Sequence, residues 1–225
     1  MKKLIVFDVN ETLLNLTALD PEFERVFGSS RIRTDWFGQV LLNSMVACLT
    51  GKYDDFGKIA GSALDMTAQK YNVALLPEDR AAILGGIRRL PAHADVRAGL
   101  DRLKEAGFRL FTLTNSPPQV VDAQLQNSGL SGYFEKSFSV DSVRKFKPDA
   151  EVYRMAAREL GVPAGQIRLV AAHDWDVAGA LTAGCAAAFI ARPGKVLNPL
   201  MPEPDIVGKD LLEVAEKIVA VDGEK

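Results

Sequence analysis

The sequence has little of several features that mark other classes of protein. Its 225 residues include only two cysteines, Cys48 and Cys185, which lie far apart in the chain. Two isolated cysteines do not make the framework of a disulfide-rich secreted domain or a zinc site. We interpret both as small apolar residues in a reducing compartment and therefore expect a cytoplasmic protein.

Long apolar runs and clusters of basic residues are also missing. The first apolar run, Leu4–Phe7, is too short for a signal peptide, and no stretch approaches the roughly 20 apolar residues of a membrane span. The formal net charge is −2, and no block of Lys or Arg occurs. We therefore expect neither a membrane nor a nucleic acid as partner. The lack of a Gly-x-Gly-x-x-Gly pattern after the first apolar run argues against a dinucleotide-binding oxidoreductase.

What the sequence does contain, from about Val96 onward, is a regular alternation of helical and strand patterns. Helical patterns end at glycines, which adopt the left-handed conformation of a helix end at little cost. With the N-terminal run, the short apolar runs predict about five parallel strands, and helices should cover both faces of the sheet. The predicted strands are Leu4–Val9, Phe108–Thr114, Ser137–Val140, Ile167–Ala172 and Ala187–Ala191. We expect an α/β fold with a parallel, Rossmann-like core sheet.

Residues 16–91 show a different pattern, with no convincing strand. Apolar residues three and four positions apart predict three helices. The first is capped by Thr34 and ends at Gly51, the second covers Phe56–Thr67, and the third begins at Pro77. We interpret residues 16–91 as a helical cap subdomain inserted into a core formed by residues 1–15 and 92–225.

Polar residues follow several of the predicted strands. In an open parallel sheet, ligands bind beyond the carboxyl ends of the strands, so these residues are expected to converge in one cleft. They are Asp8, Glu11, Thr12, Thr114, Asn115, Lys147, His173 and Asp176, and Trp175 stands directly before the last of them. Carboxylates, hydroxyl groups and a lysine in one cleft predict a catalytic site.

The order of these residues resembles the four motifs of the haloacid dehalogenase-like superfamily, over essentially the whole chain. The motif residues are Asp8 with Thr12, Thr114-Asn115, Lys147-Pro148, and Asp176 followed by Gly179-Ala180. Within the superfamily, Lys147-Pro148-Asp149 with Tyr153, and the Trp175-Asp176 pair, are similar to the type II (L-2-)haloacid dehalogenases. The resemblance implies hydrolysis of small 2-haloacids through an ester on Asp8, with no cofactor, in a possible homodimer.

A magnesium-dependent phosphatase of the same superfamily is the alternative. The phosphatases that this chain resembles have a second aspartate two residues after the nucleophile and a metal-ligating aspartate near the last motif. Here these positions are Asn10 and Ala171. An amide is a poor proton donor, and Mg²⁺ prefers several oxygen ligands, which Asp174 replaces only in part. We therefore expect no metal.

The sequence departs from the type II dehalogenases in one pocket. Their halide-binding arginine, which follows a tryptophan, is here Phe37 after Trp36. Their last-motif asparagine is His173, and the glycine before the first-motif threonine is Glu11. Three arginines could supply the missing charge, and the sequence selects none of them: Arg31, Arg33 and Arg192.

These residues support a hypothesis of two-step covalent catalysis. Asp8 displaces the halide, Lys147 keeps Asp8 ionised, and Thr12 donates a hydrogen bond to Asp8. His173, with an unperturbed pKa of about 6.5 and paired with Glu11, then activates water to hydrolyse the ester.

The remaining site residues are expected to bind the substrate. Thr114 is expected to bind the substrate carboxylate and Asn115 the halide. Apolar walls are expected from Phe37, Trp36 and Trp175. Asp176 is expected to be a structural or water-positioning acid.

Overall fold

The computed structural model describes residues 2–223 and contains a six-stranded parallel sheet of order β3-β2-β1-β4-β5-β6. The strands are β1 (Leu4–Phe7), β2 (Leu110–Thr114), β3 (Lys136–Ser139), β4 (Ile167–Ala171), β5 (Ala186–Ile190) and β6 (Ile206–Gly208). All four residues of β1 are buried, as expected for a parallel sheet covered on both faces. The predicted α/β fold is confirmed.

The strand order places the start of a cleft at the end of β1. This strand pairs with β2 on one side and with β4 on the other, so the chain winds away from it in both directions. In such sheets the crevice for ligands forms where the winding direction reverses. Asp8 follows β1 directly and therefore lies at this point.

The sequence prediction of about five strands was wrong by one, because β6 was not foreseen. This strand has only three residues and its burial alternates, so its apolar stretch is too short to mark a strand in the sequence. It lies at the edge of the sheet and pairs only with β5 among the described strands.

The helices that flank the sheet are α5 (Val96–Glu105), α6 (Pro118–Asn127), α7 (Ala150–Leu160), α8 (Asp174–Thr182) and α9 (Leu211–Asp222). The glycines predicted to end helical patterns, at positions 107, 129, 161 and 184, all have positive φ angles. Asp149 caps α7 by accepting a hydrogen bond from the backbone N–H of Glu151. Asp149 thus fixes the start of α7, two residues after Lys147.

Residues 16–89 form helices without a strand, in agreement with the sequence pattern. The helices are α1 (Asp20–Phe27), α2 (Ile32–Thr50), α3 (Phe56–Lys70) and α4 (Pro77–Gly86). The prediction that Thr34 caps the first of the predicted helices was wrong. Backbone hydrogen bonds from Ile32 and Arg33 back to Ser29 and Ser30 start the helical turn earlier, so Thr34 lies inside α2. Helix α1 was not predicted.

The helical segment begins and ends at the same place beside the sheet. Leu14 pairs with Ala92 in an isolated bridge, and the Asn15 N–H donates to the Pro91 carbonyl at 2.8 Å. Beyond this junction, the ring of Phe56 on α3 lies 6.0 Å from that of Phe146, just before Lys147. The helical residues thus reach the carboxyl edge of the sheet. Within residues 2–223, no helix has both the length and the apolar character needed to cross a lipid bilayer.

Candidate active site

Asp8 is buried and held by three side chains. Lys147 Nζ donates to Asp8 Oδ1 at 2.8 Å, and Thr12 Oγ1 donates to Asp8 Oδ2 at 2.6 Å. The ring Nδ1 of His173 also faces Oδ2, at 3.2 Å. Thr12 is itself fixed, because its Oγ1 accepts a hydrogen bond from the Ala172 N–H at the end of β4. The carboxylate therefore has a single defined orientation.

Lys147 uses all three N–H groups of its ammonium within the protein. They reach Asp8 Oδ1, Asp176 Oδ2 at 2.6 Å and the Leu113 carbonyl at 3.0 Å. The Lys147 side chain is 1% exposed, and that of Asp176 is 0% exposed. The other oxygen of Asp176 accepts from the Tyr153 hydroxyl at 2.6 Å. We call Lys147, Asp176 and Tyr153 the Lys147 cluster.

The charges around Asp8 keep it ionised. Burial alone raises the pKa of Asp8, but the Lys147 ammonium and the hydrogen bond from His173 outweigh it and hold that pKa well below the usual range. Burial lowers the pKa of Lys147, and the charges of Asp176 and Asp8 more than offset this effect. Lys147 therefore remains charged at neutral pH, as the sequence argument required.

His173 links Asp8 to Glu11. Its Nε2 lies 2.9 Å from Glu11 Oε2, and the same oxygen accepts from Lys195 Nζ at 2.6 Å. Since both ring nitrogens face carboxylate oxygens, both are donors and the ring is an imidazolium. We call His173, Glu11 and Lys195 the His173 cluster.

The protonation of His173 corrects one part of the sequence hypothesis. Burial lowers its pKa, but the hydrogen bonds to Asp8 and Glu11 outweigh burial and raise the pKa to about 9. Conversely, although burial raises the pKa of Glu11, His173 and Lys195 lower it to about 2. The unperturbed value near 6.5 does not apply, because the resting His173 is charged and becomes a base only after losing a proton.

The backbone of Glu11 is in the left-handed region, with a φ of 61°. A residue with a Cβ atom pays about 1–2 kcal/mol for this conformation, which is free of cost for glycine. Contacts on both sides fix it, because His93 Nε2 lies 3.2 Å from the Glu11 carbonyl and Arg192 Nη2 donates to the Thr12 carbonyl at 2.8 Å. The turn directs the Glu11 carboxylate to His173.

Aromatic side chains surround the imidazole. The Trp175 indole stacks on His173 with ring centres 4.8 Å apart, and the Phe37 ring lies 6.4 Å away. Trp36 is directed into the helices, where its Nε1 donates to the Ala60 carbonyl at 3.0 Å. Trp36 and Phe37 also line a small apolar cavity with Asn10. Phe37 and Trp175 therefore flank the imidazole, whereas Trp36 is buried among the helices.

The residues after β2 are joined to the loop that carries Lys147. Asn115 Oδ1 accepts from the Lys147 backbone N–H at 3.1 Å, and Thr114 Oγ1 accepts from the Ser116 N–H at 3.1 Å. Asn10 donates to Ser116 Oγ at 3.2 Å and accepts from Gln124 Nε2 at 2.9 Å. Both ends of the Asn10 amide are therefore occupied.

A cleft of about 420 Å³ opens beside Glu11, and Arg33, Arg192 and Lys195 lie in its wall. Arg33 Nη1 is 4.0 Å from Glu11 Oε1, while its Nε donates to Asp20. Arg192 pairs with Asp95 at 2.7 Å. Of the arginines that the sequence left open, Arg33 and Arg192 line this cleft, whereas Arg31 is an exposed residue outside its lining.

Lys195 was missed in the sequence, and Tyr153 was singled out there only as part of the motif resemblance. Lys195 follows β5 after a short loop, so the rule that polar residues beyond strand ends form the site would have included it if applied to that strand. Tyr153 faces the site because it lies on the first turns of α7, which starts just after Lys147.

The sequence is similar to a known family and to several of its members. The family model of haloacid dehalogenase-like hydrolases matches residues 2–184. The chain is 30% identical to the (S)-2-haloacid dehalogenase of Pseudomonas sp. (strain YL), over 95% of this chain and 93% of that relative. It is 29% identical to haloacetate dehalogenase H-2 of Moraxella sp. (strain B), over 91% and 93% of the two chains.

The fold is also similar to that of a solved structure. The structure of L-2-haloacid dehalogenase from Xanthobacter autotrophicus superposes with a TM-score of 0.91 at 25% identity, over 98% of this chain and 100% of that one. The family match covers most of the sequence, and the sheet and the ordered motifs agree with it. The chain belongs to the haloacid dehalogenase-like hydrolases.

Proposed function

We propose that this protein hydrolyses the carbon–halogen bond of small 2-haloacids through an ester on Asp8. The observation that carries the proposal is the state of Asp8, a buried carboxylate kept ionised by Lys147 and His173. The relatives named as (S)-2-haloacid and haloacetate dehalogenases support the same substrate class. They favour (S)-2-haloacids and haloacetates as the first compounds to test.

In the first step, an oxygen of Asp8 attacks the carbon that bears the halogen. A carbon–oxygen bond forms, the carbon–halogen bond breaks, and the halide leaves with the bonding electrons. Both reactants are anions, so the positive charges of Lys147 and His173 reduce their repulsion. We assign the substrate carboxylate to Thr114. We assign the halide to the Asn115 amide, whose Oδ1 is already used by Lys147 and whose Nδ2 is the remaining donor.

In the second step, His173 activates water. Esterification removes the negative charge of Asp8, and with it one of the interactions that raise the pKa of His173. The imidazolium then releases its proton to solvent. The neutral ring takes a proton from water as the hydroxide attacks the Asp8 carbonyl carbon, and the second proton of that water ends on the hydroxyacid. Asp8 and the imidazolium are restored, and one proton is released for each halide.

Phosphate ester hydrolysis with magnesium is the second candidate, since the superfamily resemblance includes phosphatases. The donor set does not favour it. The Ala171 side chain has no ligand oxygen, both oxygens of Asp176 accept hydrogen bonds from Lys147 and Tyr153, and the Asn10 amide is bound to Ser116 and Gln124. Within residues 2–223, no three His, Cys, Asp or Glu side chains are placed to share a metal ion.

One pair of assays separates the two candidates. Halide release is measured from (S)- and (R)-2-chloropropionate and from chloroacetate, with EDTA present. Hydrolysis of p-nitrophenyl phosphate is measured beside it with Mg²⁺. The proposal predicts halide release that persists in EDTA. Phosphatase activity alone, abolished by EDTA, would replace the proposal with the second candidate.

We also propose that residues 16–91 are a cap on a core of residues 1–15 and 92–225. We further propose that the protein is a homodimer and that it is located in the cytoplasm. The paired junction at Leu14 and Ala92 supports the division, and the free thiols of both cysteines support a reducing compartment. Helix α2 exposes an apolar stripe, Leu42, Val46 and Leu49, that a second copy could cover. Light scattering tests the dimer, and Leu49→Asp should yield monomers.

A further inference from the structure

Glu11 shares one oxygen between two cations. Its Oε2 is 2.9 Å from His173 Nε2 and 2.6 Å from Lys195 Nζ. The Glu11 side chain is 15% exposed and that of Lys195 27%, so the lysine lies at the boundary between the buried imidazole and the cleft. Lys195 is on the loop that follows β5 and has no contact with Asp8 among its hydrogen bonds and ion pairs within residues 2–223.

The sharing has a direct consequence for His173. A carboxylate oxygen that already accepts a short hydrogen bond from an ammonium is a weaker acceptor for a second donor, and the ammonium repels the imidazolium nearby. Lys195 therefore opposes the effect that Glu11 has on the ring. Without Lys195, the full charge of Glu11 would act on His173.

Several elements pack against His173, and some of them carry other charged groups. Asp8 follows β1 and faces Nδ1, and Lys147 precedes α7 and binds the same carboxylate. From α2, Arg33 lies 4.0 Å from the other oxygen of Glu11, and Phe37 of that helix and Trp175 of α8 are uncharged. Once Asp8 is an ester, Glu11 is the remaining anion in contact with the ring within residues 2–223.

We propose that Lys195 is a positioning residue for ester hydrolysis, which shares Glu11 with His173 and so lets the imidazolium release its proton once Asp8 is esterified. This inference rests on the proposed function for its kinetic meaning, although the coupling of the three side chains does not. The proton passes from the ring to solvent, and no bond of Lys195 is made or broken. Glu11 still orients the ring, and Lys195 limits how strongly it holds the proton.

The first test measures the His173 imidazole by NMR titration and needs no substrate. The chain has only two histidines, so loss of one signal in His173→Gln assigns the spectrum. Lys195→Met should raise the pKa of His173 by about 0.5–1 unit, and Lys195→Arg should restore it. Lys217→Met is the matched control, because Lys217 also pairs with a glutamate, Glu213, but on α9. An unchanged His173 pKa in Lys195→Met overturns the inference.

The second test separates positioning from substrate binding. Single-turnover ester hydrolysis in Lys195→Met should show its pH profile displaced to higher pH by the same amount, with the rate of ester formation and kcat/KM unchanged. A raised KM with an unmoved pH profile would make Lys195 a substrate-binding residue and contradict the inference. If wild-type protein releases no halide, the proposed function fails, while the NMR titration still decides whether Lys195 acts on His173.

Discussion

Lys147 and His173 both contact Asp8, but through different oxygens and in different surroundings. The Lys147 cluster is closed, with every N–H of its ammonium used and with Lys147 and Asp176 both buried. The His173 cluster leads outward, from Asp8 through His173 and Glu11 to the partly exposed Lys195 and the cleft. A closed cluster keeps its charge fixed, whereas a cluster connected to solvent can exchange protons.

This difference matches the two chemical steps. Displacement of halide requires an ionised Asp8 and no proton transfer, which fits the fixed charges of the Lys147 cluster. Ester hydrolysis requires a group that loses and regains a proton in each turnover, which fits His173. Substitutions in the two clusters should therefore affect different steps.

The largest effect is expected from Lys147→Met. It leaves the buried carboxylates of Asp8 and Asp176 without their shared cation, so the free energy of unfolding should fall by about 3–5 kcal/mol. Halide release in the first turnover should fall by about 10³-fold or more. Urea denaturation and a rapid-quench halide assay measure the two effects. Lys145→Met is the control, because Lys145 pairs with Asp149 at the surface and should matter by less than about 1 kcal/mol.

His173→Gln should separate the two steps. Lys147 still holds Asp8 ionised, so the ester should form, while its hydrolysis should slow by about 10²–10⁴-fold. Intact-protein mass spectrometry should then detect the ester in the variant. His93→Gln is the matched control, since the glutamine amide can still donate to the Glu11 carbonyl, which is the contact that His93 makes with the cluster. Undiminished turnover in His173→Gln, with no ester, would remove His173 from the second step.

The charge of His173 predicts a change of stability with pH. Its pKa is raised to about 9 in the folded protein, against about 6.5 when unfolded. Its stabilising contribution, up to about 3 kcal/mol, is thus complete below pH 6.5 and lost as the pH rises through 9. The difference in unfolding free energy between wild type and His173→Gln should shrink over that interval in urea titrations. Parallel curves would mean that the resting ring is neutral.

The smallest effect is expected from Tyr153→Phe. It removes the hydrogen bond to Asp176 Oδ1, which is worth about 1–2 kcal/mol. Ester formation should slow by up to about tenfold, and ester hydrolysis should not change. Tyr133→Phe is the control, because Tyr133 donates to Asp101 at the surface. A slower hydrolysis step in Tyr153→Phe would contradict the assignment of the two clusters to different steps.

Much of this site could be predicted from the sequence because of the sheet. Residues that follow strands of a parallel sheet meet at its carboxyl edge, whatever their separation in sequence. Asp8, Thr12, Lys147 and His173 were grouped for that reason, and the structure places them in contact. The burial of β1, β2 and β4 could also be predicted, because these strands are rich in apolar residues.

Other features depend on geometry that no local pattern contains. The contact between Lys195 and Glu11 joins residues from two loops, and only the turn at Glu11 brings their side chains together. The proton affinity of His173 depends on two carboxylates and on burial, so its ordinary pKa was a poor guide. The short edge strand β6 and the early start of α2 are set by neighbouring backbone rather than by their own residues.

The most direct test of the account is a single turnover in heavy-oxygen water, with enzyme in excess over (S)-2-chloropropionate, followed by mass analysis of the peptide that contains Asp8. Hydrolysis through an Asp8 ester predicts that the heavy oxygen enters the Asp8 carboxylate, because water attacks the carbonyl carbon of the ester. Heavy oxygen found in the hydroxyacid and not in Asp8 would contradict it, since water would then have displaced the halide without a covalent intermediate.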